Sequence, residues 1–400
     1  MGATICRIVV GGDTIEEIVS FDYTSDVMAI AEEAHFTVDN KGKKYRDKLQ
    51  IGDRVEFILQ NKAVNGGAPT VKHRGVITDR NPHYTSRDGS VIQVTSSNPG
   101  WHLQNCNTPV WTRLQGKTYA DICDPAISPF FDKSWGFKGL RFDGDARRRL
   151  KLGIAAVVAQ QQRVLDPVHV IQCEAGDTAS GKITEYARRL NLLLNVSPDG
   201  WVCLFRPNDK GKAVYSIRLR DGDPLNNVLE AQLRENARSR YTEVVVVGDQ
   251  VGYEGPQDPS NPNATKKRGV VKHPGNLPFL HRLTMADGEM FMNGLAQRQA
   301  EWAYKRGIYD SFVATYRVAE HFQGDLWWEA DALAHIDDDE FGLLGSFYVA
   351  AVRCTGSKSE GDLTEVTIRK PGLLSASFGE IPTPTLYKAN SITGKPTSGD

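Results

Sequence analysis

Two distant stretches of the chain follow one β pattern, and that repetition limits the available folds more than any other feature. Near the start, IGDRVEFIL (51–59) is followed by RGVITD (74–79), a turn, and SVIQVTSS (90–97). Near the end, LWWEADALAHID (326–337) is followed by GSFYVAAVRCTG (345–356), a turn, and DLTEVTIRK (362–370). Each is a strand, a connecting loop, a Gly-led strand crossing, a polar hairpin turn and a strand of alternating Val or Ile. The likeness lies in pattern and hardly in residue identity. Two readings fit it: related β-domains flanking an α+β insert, or hairpins alike by chance.

The remaining segments sort by similar signals. Residues 5–10, 54–59, 71–78 and 90–96 read as short strands, with Asp88-Gly89 marking a hairpin, which points to a small barrel or sandwich. After Trp101 the character changes. Thr118 reads as a helix cap, and 183–194 as an amphipathic helix ending at the 197–200 turn before the strand WVCLFRP. That combination is an α+β unit. Strands return at 213–219 and 242–247, the second apolar enough for burial on both faces. Residues 251–283, rich in Pro, Asn and Gly, read as a long excursion. A helix follows over 288–305, stopped by Gly307, and strands resume from 309 to 371. The Ser/Thr/Pro/Gly-rich stretch 375–400 has little to bury and reads as a flexible tail.

Composition narrows the function. Lys and Arg number 48 against 49 Asp and Glu, a net charge of −1. That balance argues against a large basic surface gripping duplex nucleic acid, and it leaves little self-repulsion to oppose assembly. The first residues lack the basic-then-apolar pattern of a secretory signal, and the most apolar run, 152–159, is far short of a bilayer span. Six cysteines (Cys6, Cys106, Cys123, Cys173, Cys203, Cys354) stand singly without a CxxC pair. They read as buried free thiols in a reducing cytoplasm and not as zinc ligands.

Several motifs invite a chemical reading. Gly176 to Lys182 matches a phosphate-cradling loop except at its last position, where Ile183 replaces the magnesium-binding hydroxyl; a Gly-rich loop with a Ser or Thr helix cap is the plainer account. Asp337-Asp338-Asp339-Glu340 lacks calcium-loop spacing and reads as a solvated loop between strands. Glu329 and Asp331, beside Trp327 and Trp328, resemble a sugar platform, against which stands the commoner use of Trp in cores and subunit contacts. Lys266, Lys267 and Arg268 form a basic cluster able to meet an acidic partner or simply to be solvated. The nine histidines show no metal-binding spacing.

GDRVEFIL with HRGVITD, GKTYADICDPAISPFF, ITEYARRLNLLLNVSPDGWVCLFRP, YTEVVVVGD and the closing run through LTEVTIRKP follow one another in a telling order. Over residues 3–374 that order resembles the central hub protein of the baseplate in Mu-like contractile-tailed bacteriophages. The resemblance implies a β-dominated α+β chain with two tail-tube-like β-barrel domains around an α+β domain. Its divisions would be a first barrel at 1–105, an α+β domain at 106–206 and an interrupted second barrel at 207–250 and 308–372. An inserted excursion loop and helix would fill 251–307, with a flexible tail at 373–400.

It implies a structural protein and no enzyme, with no cofactor, metal or catalytic residue. Such a hub is a homotrimeric ring that joins the tail tube to the central spike, adapts six-fold to three-fold symmetry and leaves a channel for DNA. Its partners would be itself, the spike, the tube or tube-initiator protein and other baseplate proteins, with DNA only in transit and no stable membrane association. Its place would be the virion tail baseplate, assembled in the host cytoplasm. The equivalent hub of a tailocin or contractile secretion machine is the near alternative; a carbohydrate-active or muralytic tail enzyme is the alternative of another class. Lys266, Lys267, Arg268, Trp327 and Trp328 are the candidate partner contacts.

Overall fold

Residues 4–86, 89–107, 113–115, 139–142, 170–172, 175–181, 184, 193–197, 200–205, 207–248, 268–287 and 293–374 are described by a computed structural model. The fold is β-dominated. Its first half carries β1 (Ile5–Val10), β2 (Asp13–Ile15), β3 (Ile18–Asp26), β4 (Glu33–Asp39), β5 (Arg54–Gln60), β6 (Thr70–Thr85), β7 (Gly89–Ser97), α1 (Gly100–Asn105), β8 (Arg113–Gln115), β9 (Gly139–Phe142), β10 (Val170–Gln172), β11 (Leu193–Val196) and β12 (Trp201–Phe205). Its second half carries β13 (Tyr215–Leu219), β14 (Val228–Glu235), β15 (Glu243–Gly248), β16 (Arg268–Lys272), β17 (Arg282–Asp287), α2 (Asn293–Ser311), β18 (Phe312–Ala319), β19 (Phe322–Gln323), β20 (Leu326–Trp327), β21 (Ala332–Asp338), β22 (Leu343–Ser357) and β23 (Gly361–Arg369). Two units divide the chain, one of Met1–Pro207, Glu320–Ala330 and Ala350–Val366, the other of Asn208–Ala319, Asp331–Val349 and Thr367–Asp400. Strands β22 and β23 contribute residues to both.

In the first unit the strands pair in the order β23-β22-β3-β4-β7-β6-β5-β1-β2. Alternation creates the inner face: Val55, Phe57 and Leu59 of β5, Ala34, Phe36 and Val38 of β4, and Phe21 and Tyr23 of β3 are buried. Phe57 lies four strands from Phe21 in that order, which on a flat sheet would separate them by roughly 19 Å. Their ring centroids are 5.2 Å apart, and Phe57 also meets Phe36 at 5.2 Å and Tyr23 at 5.9 Å. The sheet is therefore strongly curled around one aromatic cluster. Among the described residues no ladder closes the curl; instead Thr4, just before β1, hydrogen-bonds the Asp362 carboxylate at the start of β23. Beyond α1, β12 pairs antiparallel with β11 and parallel with β9, a small separate sheet.

In the second unit the order is β14-β18-β23-β22-β21-β13. Phe312, Ala314, Tyr316 and Val318 of β18, with Ile217, Ile336 and Phe347, form its core. The two end strands meet at Asn227. Asn227, ahead of β14, accepts the Arg218 N–H at 2.8 Å and donates to the Ser216 carbonyl at 2.9 Å, while its own N–H reaches the Arg218 carbonyl at 3.2 Å.

The echo in the sequence is a repeated meander. Strands β5, β6 and β7 have 7, 16 and 9 residues, and β21, β22 and β23 have 7, 15 and 9. The hairpin glycines agree in conformation, Gly89 at φ +79° and Gly361 at φ +77°, a region that costs a glycine nothing and an L side chain strain.

The second-unit insertion differs from expectation in three ways. Strand β15, which the resemblance would put in a second barrel within 207–250, is the centre of a separate sheet, antiparallel to β16 and parallel to β17. Its Val244, Val245 and Val246 are buried on both faces because α2 packs on β15 and β16. The 251–283 excursion contains β16 and β17, since Val270 and Val271 supply enough β-branched surface to pair; residues 249–267 lie outside the described part. Helix α2 does not stop at Gly307 but continues to Ser311. A Cβ on Gly307 would stand 2.2 Å from the Ser239 carbonyl oxygen, so this glycine serves close packing instead of termination. The 183–194 helix, the Thr118 cap, the 288–292 start and the 375–400 tail fall largely outside the described residues.

Candidate assembly interface

The residues with catalytic potential are tied into structure. Trp327, on the β19–β20 hairpin, is 4% exposed, and its indole N–H donates to Thr70 Oγ1 at 3.0 Å. Trp328 is 3% exposed. A sugar platform needs open indole faces, and here one face of Trp327 carries the Lys72 ammonium, 5.3 Å from the ring centroid. Lys72 is itself buried, and Glu329 Oε1 accepts from it at 2.9 Å. Asp331, in the other unit, accepts from the Tyr348 hydroxyl at 2.8 Å and the Asn208 N–H at 2.6 Å. Sequence reading missed Lys72, because 257 residues separate it from its partner.

The acidic run is only partly a loop. Asp337 and Asp338 belong to β21: Asp337 accepts from Arg220 at 2.5 Å, which holds its carboxyl below the ordinary range, and buried Asp338 accepts from the Tyr316 hydroxyl at 2.5 Å. Strand alternation sends the two to opposite faces, each with a partner there, which corrects the solvated-loop reading. In the phosphate-loop look-alike, the Gly181 N–H donates to Thr178 Oγ1 at 3.1 Å, the capping role expected of it.

Cys6, Cys106, Cys203 and Cys354 are free thiols, Cys203 and Cys354 buried and the other two half-buried; Cys123 and Cys173 lie outside the described residues. Burial holds the Cys6 thiol far above its usual range. No trio of His, Cys, Asp or Glu with metal-binding geometry occurs among the described residues. The nearest approach to a catalytic row is His321, whose Nδ1 lies 3.0 Å from Thr364 Oγ1 and whose Nε2 lies 3.6 Å from Asp362. Burial disfavours its charge, but Asp362 and Cys354 outweigh that and push its pKa up to about 9. Its side chain is 0% exposed, so no substrate reaches it; the row ties β23 to the segment before β19.

What the surface offers is contact area. Of the candidate partner residues, Arg268 opens β16 and is exposed, whereas Lys266 and Lys267 lie outside the described residues. Large apolar side chains stand in solvent at Leu225 (66%), Leu229 (62%), Phe279 (55%) and Leu280 (68%), all in the second unit. The Pro278-Phe279-Leu280 run within a Pro/Asn/Gly segment was a legible sign of such a knob.

No protein-family model and no curated relative matches the chain. Solved structures do. The tail protein from Neisseria meningitidis MC58 is 16% identical with a TM-score of 0.71, over 93% of this chain and 98% of that one. The 43 kDa tail protein of prophage MuSo2 from Shewanella oneidensis is 18% identical with a TM-score of 0.70, over 93% and 99%. This chain has the fold of a phage tail protein. The E. coli c3393 protein, described as a component of the type VI secretion system with structural similarity to T4 tail proteins, shares it more distantly, at 9% identity and a TM-score of 0.52 over 91% and 76%. The shared fold covers 93% of this chain while most residues differ.

Proposed function

We propose that the protein is the structural hub of a contractile-tail baseplate: a homotrimeric ring joining the tail tube to the central spike, with a channel through which DNA passes. The observation that carries this is the repeated meander, 7-16-9 and 7-15-9 residues long, in one chain with the tail-protein fold. Two tube-like modules per chain and three chains per ring present six modules to a six-fold tube while keeping a three-fold face for the spike. The curled sheets tied by Asp362–Thr4 and Asn227 are the modules in this reading, and the 106–206 region joins them. A chain with near-zero net charge closes such a ring without strong self-repulsion.

The partners in this reading are a second and third copy, the spike, the tube or its initiator, other baseplate proteins and DNA in transit, within the virion tail after assembly in the host cytoplasm. In this reading the chain does no chemistry, which is supported by the burial of Trp327 and Trp328 and by the partners that engage Glu329 and Asp331. The likeness to the E. coli secretion component keeps the hub of a contractile secretion machine or tailocin as the second reading. Mass photometry tests the core of the proposal. A species of about 133 kDa, three times 44.3 kDa, is expected at micromolar concentration. Monomer alone, even with the spike protein added, refutes it.

A further inference from the structure

The repeat extends beyond the two meanders. Strand β4 lies beside β7 as β18 lies beside β23, and Ala34, Phe36 and Val38 match Ala314, Tyr316 and Val318, all buried. Strand β3 lies beyond β4 as β14 lies beyond β18. Each of these outer strands breaks register after its first residue, between Ile18 and Ser20 and between Val228 and Glu230, so β14 is the counterpart of β3. The hairpins also correspond. Thr85 and Gly89 end β6 and open β7 as Ser357 and Gly361 end β22 and open β23, so residues 79–85 match 351–357.

The two halves of the repeat differ in what their edges meet. In the first unit β3 pairs antiparallel with the second half of β22, from Asp26 opposite Ala351 to Ser20 opposite Ser357. Large meets small along that ladder: a Cβ on Gly356 would stand 2.2 Å from the Phe21 ring. Strand β6 has no such neighbour. It meets β5 only from Thr70 to Val76, and among the described residues no strand pairs with the outer edge of 79–84. Strand β14 pairs with β18 alone and ends its sheet. Tyr84 is 74% exposed on the first of these edges and Leu229 62% on the second.

The backbones of the two edges are in phase. Pro82 lies opposite Ile92 of β7 and has no N–H to donate, so by alternation Arg80, Pro82 and Tyr84 turn their backbone groups outward. Just past β14 the Asn236 N–H donates inward to the Ser311 carbonyl at 2.9 Å, so Ala231, Leu233 and Glu235 turn theirs outward. Carrying the β22–β3 register across the repeat sets Tyr84 opposite Ala231, Pro82 opposite Leu233 and Arg80 opposite Glu235. Outward groups then meet outward groups, and the large Tyr84 faces the small Ala231.

We infer that the outer edge of β6 in one copy pairs antiparallel with β14 of the next copy, repeating between chains the β22–β3 ladder found within one. Different edges of one molecule that fit each other make a head-to-tail contact, which closes a ring when the rotation allows. Pro82 removes one donor from the ladder and keeps the bare edge from pairing indiscriminately. The inference rests on the trimer reading.

Disulfide trapping tests the register. His83 and Gln232 are both exposed and would form a non-hydrogen-bonded pair with Cα atoms roughly 4.5 Å apart, within disulfide reach. Oxidised His83→Cys/Gln232→Cys is expected to run as a covalent trimer of about 133 kDa, three times 44.3 kDa, in denaturing gels without reductant. His83→Cys/Ala231→Cys points its thiols to opposite faces and should stay monomeric, as should each single variant with the native cysteines present. Tyr84→Asp, with a thermal melt like the wild type's, should raise the assembly midpoint at least about 30-fold in mass photometry. Trapping by the Ala231 pair and not the Gln232 pair overturns the register. Wild-type trimers in which neither pair traps, or Tyr84→Asp assembling like the wild type, overturn the contact and leave the trimer reading standing. Wild type that is monomeric at every concentration, with the spike protein present, removes the ring and the contact together.

Discussion

Glu32 gives the fold a pH dependence whose sign and size follow from its surroundings. It lies between β3 and β4, 6% exposed, where the Ser25 hydroxyl donates to it at 2.8 Å and the Tyr23 hydroxyl at 3.4 Å. Burial dominates those hydrogen bonds and pushes its carboxyl from 4.5 up to about 7, with Asp26 adding like charge. Below pH 4.5 both folded and unfolded chains hold the proton, and Glu32 costs nothing. Between about 4.5 and 7 the unfolded chain releases it while the folded chain keeps it, so stability falls as pH rises. The loss levels off above pH 7 at about 3 kcal/mol, from a difference of 7 − 4.5 = 2.5 at 1.36 kcal/mol per unit. Glu32→Gln keeps the acceptor for Ser25 and removes the titration. Urea unfolding followed by Trp fluorescence should show the variant about 3 kcal/mol more stable than wild type at pH 8 and equal to it at pH 4.5. A difference that does not change with pH, or a variant weaker at pH 8, would refute the account, because the carboxylate would then be ionised in the folded state.

Two further outcomes follow from packing. Glu329→Ala strips the buried Lys72 ammonium of its carboxylate; because Glu329 itself is 65% exposed, the cost should be about 1–2 kcal/mol in chemical unfolding, below the value for a fully buried pair. Neither the wild type nor this variant should release reducing sugar from peptidoglycan, and release that disappears with Glu329 or Asp331 would revive the enzyme reading. Gly307→Ala pits helix propensity, worth about 1 kcal/mol in favour of Ala, against a Cβ 2.2 Å from a backbone oxygen. Overpacking against backbone wins, and the melting temperature should drop with a net loss of about 1–2 kcal/mol.

The local part of the fold was legible. Alternation in VEFIL, Gly-marked turns and the YTEVVVVGD run placed strands where β5, β7 and β15 lie, because strand burial has a period of two that a sequence displays directly. The repeat was legible too, but only as a pattern. Sheet membership was not: β15 is as apolar as any core strand, and nothing in its residues says that β16 and β17 flank it instead of the second curled sheet. Gly307 carried the signature of a helix stop, and its use as a contact surface depended on Ser239, far away in sequence. The acidic run read as solvated because its partners Arg220 and Tyr316 come from other strands.

The sequence by itself determined the β-rich character, the twofold pattern, the order of segments that resembles a phage hub, and the lack of spacing for metal or nucleophilic chemistry. Those are properties of neighbours along the chain. Only the tertiary structure decided that Trp327, Trp328, Lys72 and Glu329 are one packed cluster and not an open platform, and that Leu225, Leu229, Phe279 and Leu280 are left in water. Burial is a sum over contacts between residues hundreds of positions apart, and composition cannot separate an indole that fills a core from one that waits for a partner.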